Sequence, residues 1–368
     1  MTSTAMNRLG LLLLLLAPRT LAAQPSLYGF NFPVWEKESY SAPETGKSLT
    51  SMAQTGARTV AVIPTQYLDS PQGFTIRSTN GTASDTSVRQ IIRQAKGLGM
   101  DVVLKPHLDV PGEVSRHSIQ PRDPRAWFEN YRAFILHYAR IAQEESADLF
   151  VIGTELSSLT GGDNKAEWEA TVRAARGVYS GKITYAAMWY EFPQLSFWDS
   201  LDYIGVDGYF PLAGGANKRL LKLSWHAYIP LLKAISWRYG KPLLFTEIGV
   251  ASQAGSSLKP WAYADSGALD VASQKIYFEA FLEIFGQEPY VAGFLQWAWA
   301  PDPNAGGLSD KSMTVQGKPA LEPLREYFQL MRPIKPAVDP LERGKMGTRA
   351  ATIERQLNNL GRFFQTNP

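Results

Sequence analysis

The sequence has no cysteine and only four histidines among its 368 residues. The absence of cysteine excludes disulfide bonds, thiolate metal sites, a cysteine nucleophile and a lipid-modified bacterial N-terminus. The histidines show no paired spacing on a helix face, so the sequence gives no support for a zinc site. No serine stands in a nucleophile elbow, and no glycine-rich phosphate loop follows a predicted strand. We therefore expect a protein that works without a metal or another cofactor.

Long apolar runs are also scarce. The run over residues 9–17 follows Arg8 and precedes Pro18 and the small residues Ala22 and Ala23. A positive flank, a short apolar region and a small-residue cleavage site predict a secretory signal peptide over residues 1–23. The run is too short to span a bilayer as a mature helix, although an uncleaved anchor is the alternative. The sequence therefore predicts a secreted or periplasmic protein.

The composition is that of a folded globular chain, with 45% apolar and 19% charged residues. The formal net charge of +3 arises at the two ends, and the body between them holds slightly more acidic than basic residues. This balance gives no support for a nucleic-acid-binding protein, which would need a basic stripe. Aromatic residues make up 12% of the chain, which fits either a large core or an aromatic-lined cleft.

Short β-rich runs alternate with amphipathic helical patterns through the body of the chain. The helical patterns include residues 87–98, which follow the cap candidates Ser84 and Asp85, and residues 127–145. Apolar strands in this rhythm are typical of a parallel sheet and predict a single (β/α)8 barrel over residues 24–332. A doubly wound open sheet is the alternative, disfavoured because a phosphate loop is missing. The eight strands are predicted at residues 27–32, 58–64, 101–107, 148–153, 182–188, 201–207, 242–247 and 291–297.

Two glutamates stand at the ends of predicted strands, where active sites of such barrels lie. Glu155 follows the fourth strand and Glu247 ends the seventh. Either one alone fits a strand-end charge that pairs with an arginine or caps a helix. The pair has aromatic and polar neighbours at other strand ends, and these are predicted to contact a sugar: Trp35, His107, Trp189, Trp297 and Trp299.

Two carboxyl groups among aromatic side chains are what cleavage of a glycosidic bond requires. In a retaining glycosidase one carboxyl protonates the leaving oxygen and another attacks the anomeric carbon, about 5–5.5 Å away. Apolar walls raise the pKa of the acid, and aromatic faces stack on sugar C–H groups. The sequence thus predicts an enzyme that hydrolyses a β-linked polysaccharide or oligosaccharide. A catalytically inactive carbohydrate-binding barrel is the alternative, because a fold alone does not prove activity.

Several collinear segments resemble glycoside hydrolase family 113, a group of β-mannanases in a clan of barrel glycosidases with catalytic glutamates on strands four and seven. The resemblance runs from about residue 28 to about residue 328. It implies Glu155 as acid/base and Glu247 as nucleophile. It further implies that Tyr209 hydrogen-bonds and orients the nucleophile, and that Trp297 forms the floor of the cleaved sugar's subsite. The segments that carry it are 82–87, 104–109, 152–156, 197–209, 241–249, 260–261 and 317–320.

Departures from the family pattern bear on the sugar. Thr154 stands where many clan members have an asparagine that contacts the sugar 2-hydroxyl, and Met188 precedes Trp189 where we expect asparagine. The segment 110–118 lacks an expected tryptophan. A β-1,4-mannan is the predicted substrate; another β-hexosyl substrate, and endo versus exo action, stay open.

The segment 333–368 lies outside the resemblance. Its prolines predict a linker, and the apolar residues that follow predict one amphipathic helix with a basic face. Such a helix can pack on the barrel, fray, or contact an anionic membrane or cell-wall surface. We expect this tail to take no part in catalysis and the protein to be a monomer.

Overall fold

A computed structural model describes residues 26–112, 114–262 and 267–331. The predicted signal peptide and tail lie outside these ranges. In chain order the strands are β1 (Leu27–Pro33), β2 (Thr59–Ile63), β3 (Thr65–Leu68), β4 (Ile76–Arg77), β5 (Asp101–Leu104), β6 (His107–Asp109), β7 (Leu149–Thr154), β8 (Lys182–Met188), β9 (Ile204–Asp207), β10 (Leu243–Ile248) and β11 (Val291–Gln296). The α-helices are α1 (Pro43–Gln54), α2 (Asp85–Gly97), α3 (Pro124–Glu144), α4 (Lys165–Arg176), α5 (Lys218–His226), α6 (Ile229–Tyr239), α7 (Val271–Phe285) and α8 (Leu321–Met331).

Eight parallel strands close into a barrel in the order β1-β11-β10-β9-β8-β7-β5-β2. The barrel closes where β1 pairs with both β2 and β11. Gly293 of β11 adopts a φ of 152°, and a Cβ there would lie 1.9 Å from the Leu27 carbonyl oxygen. Only glycine fits this close approach of two backbones. The predicted (β/α)8 barrel is confirmed.

A small second sheet, in the order β4-β3-β6, extends beyond the barrel strands β2 and β5. The sequence predicts one strand over residues 101–107, but β5 ends at Leu104 and the chain forms β6 from His107. Pro106 stands between them and has no N–H to donate to a barrel neighbour. As a result His107 pairs with Thr65 of β3 rather than with a barrel strand.

Side-chain caps set the starts of α2 and α3. The Ser84 hydroxyl accepts the Ser87 N–H at 3.2 Å, so one of the two predicted caps begins α2. Asp123 caps α3 by accepting the Ala126 N–H at 3.0 Å, and Pro124 occupies its first turn. This cap explains why α3 begins before the predicted residue 127.

Most of the aromatic excess lies in the core between barrel and helices. The largest fully buried side chains are all aromatic, among them Trp127, Trp168, Trp198 and Trp225. The aromatic content of the sequence therefore reflects packing first and a cleft second. No helix in the described ranges is long and apolar enough to cross a membrane.

Candidate active site

Glu247 lies near the end of β10, and both of its carboxylate oxygens have a donor. A register shift between Phe245 and Glu247 sets Glu247 opposite Asp207 of β9. The Tyr209 hydroxyl donates to Glu247 Oε2 at 2.7 Å, and the Lys105 ammonium donates to Oε1. Glu247 is only 4% exposed. Donors at both oxygens fix the orientation of the side chain.

Lys105 is shared by two buried carboxyl groups. Its Nζ lies 3.7 Å from Asp207 Oδ1, and neither side chain is exposed to solvent. The Thr246 hydroxyl also donates to Asp207 Oδ1, at 2.7 Å. Burial, and then the charge of Glu247, raise the pKa of Asp207 well above its usual range. Removing the lysine would leave buried acids without a counter-charge, which is strongly destabilising.

Glu155 directly follows β7 and has a left-handed backbone, with a φ of 54°. This conformation is unfavourable for a residue with a side chain and persists only where its surroundings fix it. The Glu155 N–H donates to the Ala186 carbonyl of β8 at 2.9 Å, and the Leu156 N–H donates to the Tyr185 hydroxyl at 2.8 Å. Backbone contacts to β8 thus aim the Glu155 side chain.

Glu155 is destabilised in its charged form. Burial, and then the charge of Glu247, raise its pKa to about 7, against the opposing charges of Arg116 and Lys105. A carboxyl group with this pKa still carries its proton near neutral pH, so it can act as an acid.

A third carboxyl group, Glu191, supports the Glu155 side of the site. It is buried and accepts hydrogen bonds from the Thr160 hydroxyl at 2.6 Å, the Tyr185 hydroxyl at 3.0 Å and the Met188 N–H at 3.0 Å. Burial raises the pKa of Glu191, and its charge is a further cause of the raised pKa of Glu155. Glu191 therefore acts on Glu155 through the hydroxyl of Tyr185 and through charge.

A cleft of about 280 Å³ opens beside Glu155. Arg116 forms part of its wall and donates from Nη2 to Asp109 Oδ1 at 2.5 Å. Burial opposes the positive charge, but nearby carboxylates dominate and raise the pKa of Arg116. The cleft therefore has charged as well as apolar walls. It is lined by Tyr67, Asp109, Val110, Pro111, Gly112, Val114, Ser115, Arg116 and Glu155.

Three of the predicted sugar-contacting residues, His107, Trp189 and Trp297, take part in ring stacks. His107 stacks on Trp297, with ring centroids 5.9 Å apart and planes 10° apart, and Lys105 lies 5.7 Å from the Trp297 ring centroid. Lys105 thereby joins this pair to Glu247. Trp189 stacks on Trp261 at 6.3 Å, and Trp261 is 45% exposed. Trp189 also packs against the buried cluster that contains Trp297 and Tyr209.

Other predicted contacts are placed differently. Trp35 is 54% exposed, whereas Trp299 is only 3% exposed and donates its indole N–H to the Ser48 hydroxyl of α1. The structure thus places Trp299 in the core, where its ring also packs on Phe30 at 4.9 Å. Thr154 is buried, and its hydroxyl has no hydrogen-bond partner within the described ranges.

Sequence reasoning missed Lys105, Asp207, Arg116 and Glu191 as site residues. A signal existed for Lys105, since it is a charged residue directly after the apolar strand β5. Arg116 lies in a segment without periodicity, and nothing in its local pattern marks it. Among the described residues there is no group of three or more histidine, aspartate or glutamate side chains that could hold a metal ion.

An eight-stranded parallel barrel with a glutamate at the ends of its fourth and seventh strands, here β7 and β10, is the architecture of a large class of glycoside hydrolases. The family model described as Glycoside Hydrolase Family 113 matches residues 28–318. The chain therefore belongs to glycoside hydrolase family 113 and is a glycoside hydrolase. No curated protein matches it.

Solved structures agree with this assignment. The β-mannanase AaManA from Alicyclobacillus acidocaldarius is 25% identical, with a TM-score of 0.76 over 84% of this chain and 100% of that one. A second structure, a β-1,4-mannanase of the same family, is 26% identical, with a TM-score of 0.74 over 82% of this chain and 98% of that one. A Ruminococcus gnavus β-glucuronidase shares the fold alone, at 14% identity and a TM-score of 0.57 over 83% of this chain and 50% of that one.

Proposed function

We propose that the protein hydrolyses β-1,4-mannan with retention of anomeric configuration, with Glu155 as acid/base and Glu247 as nucleophile. The observation that carries this proposal is that the two carboxyl groups have different surroundings. Glu247 receives a donor at each oxygen, whereas burial raises the pKa of Glu155 to about 7. One group is thus kept ready to attack and the other ready to give a proton.

In the first step Glu155 gives its proton to the glycosidic oxygen while a Glu247 oxygen attacks the anomeric carbon. The bond from that carbon to the leaving oxygen breaks, and an ester to Glu247 forms. In the second step Glu155 takes a proton from water, whose oxygen attacks the same carbon and releases Glu247. Two inversions at one carbon give net retention.

The charge of Glu247 links the two steps. In the free enzyme this charge helps to raise the pKa of Glu155 and so keeps its proton in place. Once Glu247 is esterified its charge is gone, while the cations Arg116 and Lys105 remain. The pKa of Glu155 then falls, which suits its second role as a base.

The mannan assignment draws on family membership and on the two β-mannanases about one quarter identical to this chain. The His107–Trp297 and Trp189–Trp261 stacks supply aromatic faces on which sugar rings can lie. A different β-hexosyl substrate is the second candidate, favoured by Thr154 at a position where many clan members have asparagine. Export by the signal segment over residues 1–23 would bring the enzyme to polysaccharides outside the cell.

Purified protein should be incubated with mannan, glucomannan, cellulose and xylan, and the released sugars measured. We expect the fastest release from mannan, with NMR showing a β-configured first product. A Glu247→Gln variant is the matched control for contaminating activity. An α-configured first product contradicts the double displacement, whereas faster release from cellulose or xylan contradicts only the mannan assignment. No release by a folded protein favours the inactive carbohydrate-binding barrel.

A further inference from the structure

His107 has a cation at one of its two ring nitrogens. Arg116 Nη1 lies 3.1 Å from His107 Nδ1, and the same guanidinium is bound by Asp109 through Nη2. A guanidinium can only donate hydrogen bonds, so Nδ1 must be the acceptor. The neutral imidazole then carries its single proton on Nε2.

The surroundings of His107 keep the ring neutral. His107 is 3% exposed, and burial, followed by the charges of Arg116 and Lys105, lowers its pKa well below the usual range. Arg116 contacts the ring from its loop, and Lys105 lies beside Trp297, the ring on which His107 stacks. Glu247 is bound to Lys105 and is farther along this chain of contacts. A protonated His107 would add a third positive charge to those of Arg116 and Lys105.

The other ring nitrogen, Nε2, is buried and has no hydrogen-bond partner within the described ranges. A buried donor without an acceptor is costly, so such an atom calls for an explanation. The ring that carries it stacks on Trp297, and Trp297 lies beside the lysine that holds Glu247. A sugar hydroxyl bound at this stack would supply the missing acceptor.

We propose that Arg116 is a positioning residue that fixes His107 as the neutral Nε2–H tautomer, so that His107 donates a hydrogen bond to one hydroxyl of the sugar bound at Trp297. The sugar acceptor rests on the proposed function; the tautomer does not. Asp109 is also part of this arrangement, because its carboxylate holds the Arg116 guanidinium in place.

The tautomer of His107 bears on which sugar the site accepts. A buried site built to hydrogen-bond one hydroxyl rejects a substrate that lacks it, because the site's own polar group is then left unpaired. Arg116 lies in the segment 110–118, where the sequence departs from the family pattern. A loop residue outside the barrel thereby sets the selectivity of a histidine at its rim.

The first test reads the tautomer directly and needs no activity. The chain has four histidines, so the ring nitrogens of a ¹⁵N-histidine-labelled sample can be assigned by replacing each histidine in turn. We expect the chemical shifts of a neutral Nε2–H ring for His107 in the full-length protein. Arg116→Met should populate the Nδ1–H tautomer, while Arg122→Met, at an exposed position after the same loop, should leave it unchanged.

Two results overturn the tautomer assignment. One is an Nδ1–H or doubly protonated His107 in the wild-type protein at pH 7. The other is an Arg116→Met variant that folds and keeps the wild-type tautomer. Should that variant fail to fold, Arg116→Lys tests the same point, since one ammonium cannot reproduce the two-pronged contact to Asp109 and His107.

The second test locates the acceptor with mannosides that each lack one hydroxyl. We expect one deoxy position to lower the wild-type kcat/KM by about 10- to 100-fold, and His107→Asn to lose most of this discrimination. His107→Gln, which can keep a donor near the Nε2 position, should preserve part of it. Unchanged discrimination in a folded His107→Asn variant contradicts the hydrogen bond to sugar. If no mannoside is cleaved, the proposed function fails while the tautomer measurement still decides the role of Arg116.

Discussion

Glu247 and Glu155 lie at the ends of β10 and β7, and the side chains around them differ in kind. Glu247 is held directly, by the Lys105 ammonium and the Tyr209 hydroxyl. Glu155 is held indirectly, through its own N–H on β8 and through the Leu156 N–H on Tyr185. Direct donors stabilise a charged carboxylate, whereas backbone anchoring fixes a carboxyl group without stabilising its charge. Two identical side chains thus differ in chemistry because the fold places hydrogen-bond donors directly on the carboxylate of Glu247, whereas the contacts of Glu155 are made by its backbone.

The nucleophile side should show the largest effect. Glu247→Gln keeps the shape of the side chain but cannot form the covalent intermediate, so kcat should fall by about 10⁴-fold or more. Initial rates on mannan check this, with thermal unfolding as the control for structure. A folded variant that retains more than about a hundredth of the activity would contradict the role of Glu247.

The acid side should show a loss that depends on the leaving group. Glu155→Ala should lower kcat/KM on mannan-oligosaccharides by about 10²–10⁴-fold, because poor leaving groups need the proton most. Activated aryl mannosides should lose far less in their first step, and azide should partly restore turnover. Equal losses on both kinds of substrate would remove Glu155 from the acid role.

The pH dependence follows from the raised pKa of Glu155. The acid works only when protonated, and its pKa is about 7, so kcat/KM should fall as the pH rises through about 7. Two pH units above the pKa, activity should be about a hundredfold below its maximum. A pH profile of kcat/KM measures this decrease on the alkaline side. The assignment of this decrease to Glu155 fails if the residual activity of Glu155→Ala decreases over the same pH range.

The Tyr209 hydroxyl tests how much a direct donor contributes. Tyr209→Phe removes one hydrogen bond to a charged group, worth about 1.5–3 kcal/mol, and should lower kcat/KM by about 10- to 100-fold. Tyr327→Phe is the matched control, since its buried hydroxyl donates to the Gly286 carbonyl near α7 and α8. Similar losses in both variants would mean that packing rather than Glu247 is affected.

The indirect anchoring of Glu155 should give the smallest effect. Tyr185→Phe removes both the acceptor of the Leu156 N–H and a donor to Glu191. Tyr179→Phe removes a hydroxyl that donates to the Ala147 carbonyl at 2.8 Å, before β7 begins. Each change should cost about 1 kcal/mol of stability. Only Tyr185→Phe should lower kcat, by about three- to tenfold, measured beside the melting temperature. Equal kcat values would show that neither hydrogen bond of the Tyr185 hydroxyl positions Glu155.

The strand rhythm was sufficient to predict the barrel, because strands buried on both faces are apolar and recur regularly. It missed the break at Pro106, where β5 and β6 separate, because the prediction carried the strand past the apolar run 102–104 through Lys105 and Pro106 to His107. Glu155 and Glu247 stand at the strand ends where the sequence puts them, and their roles stay predictions. Trp299 lies beyond the end of β11, where side chains no longer alternate regularly, so its burial could not be read from position.

The residues that sequence reasoning missed act through distant partners. Lys105 meets Glu247 across 142 positions, and the contact depends on barrel closure rather than on any local pattern. Glu191 joins β8 to the loop after β7 through Thr160 and Tyr185. Such contacts need the register of neighbouring strands, which one sequence does not give.

The small sheet β4-β3-β6 supports one wall of the cleft with hydrogen bonds that are not part of the barrel. His107 and Asp109 belong to β6, whose ladder partner is β3, so no barrel hydrogen bond runs through them. Insertions and substitutions in the segment 110–118 can therefore reshape the wall while the closed ladder of the barrel stays intact. Substrate selectivity can therefore change through this wall during evolution at little cost in folding stability, because the wall and the barrel are held by different sets of backbone hydrogen bonds.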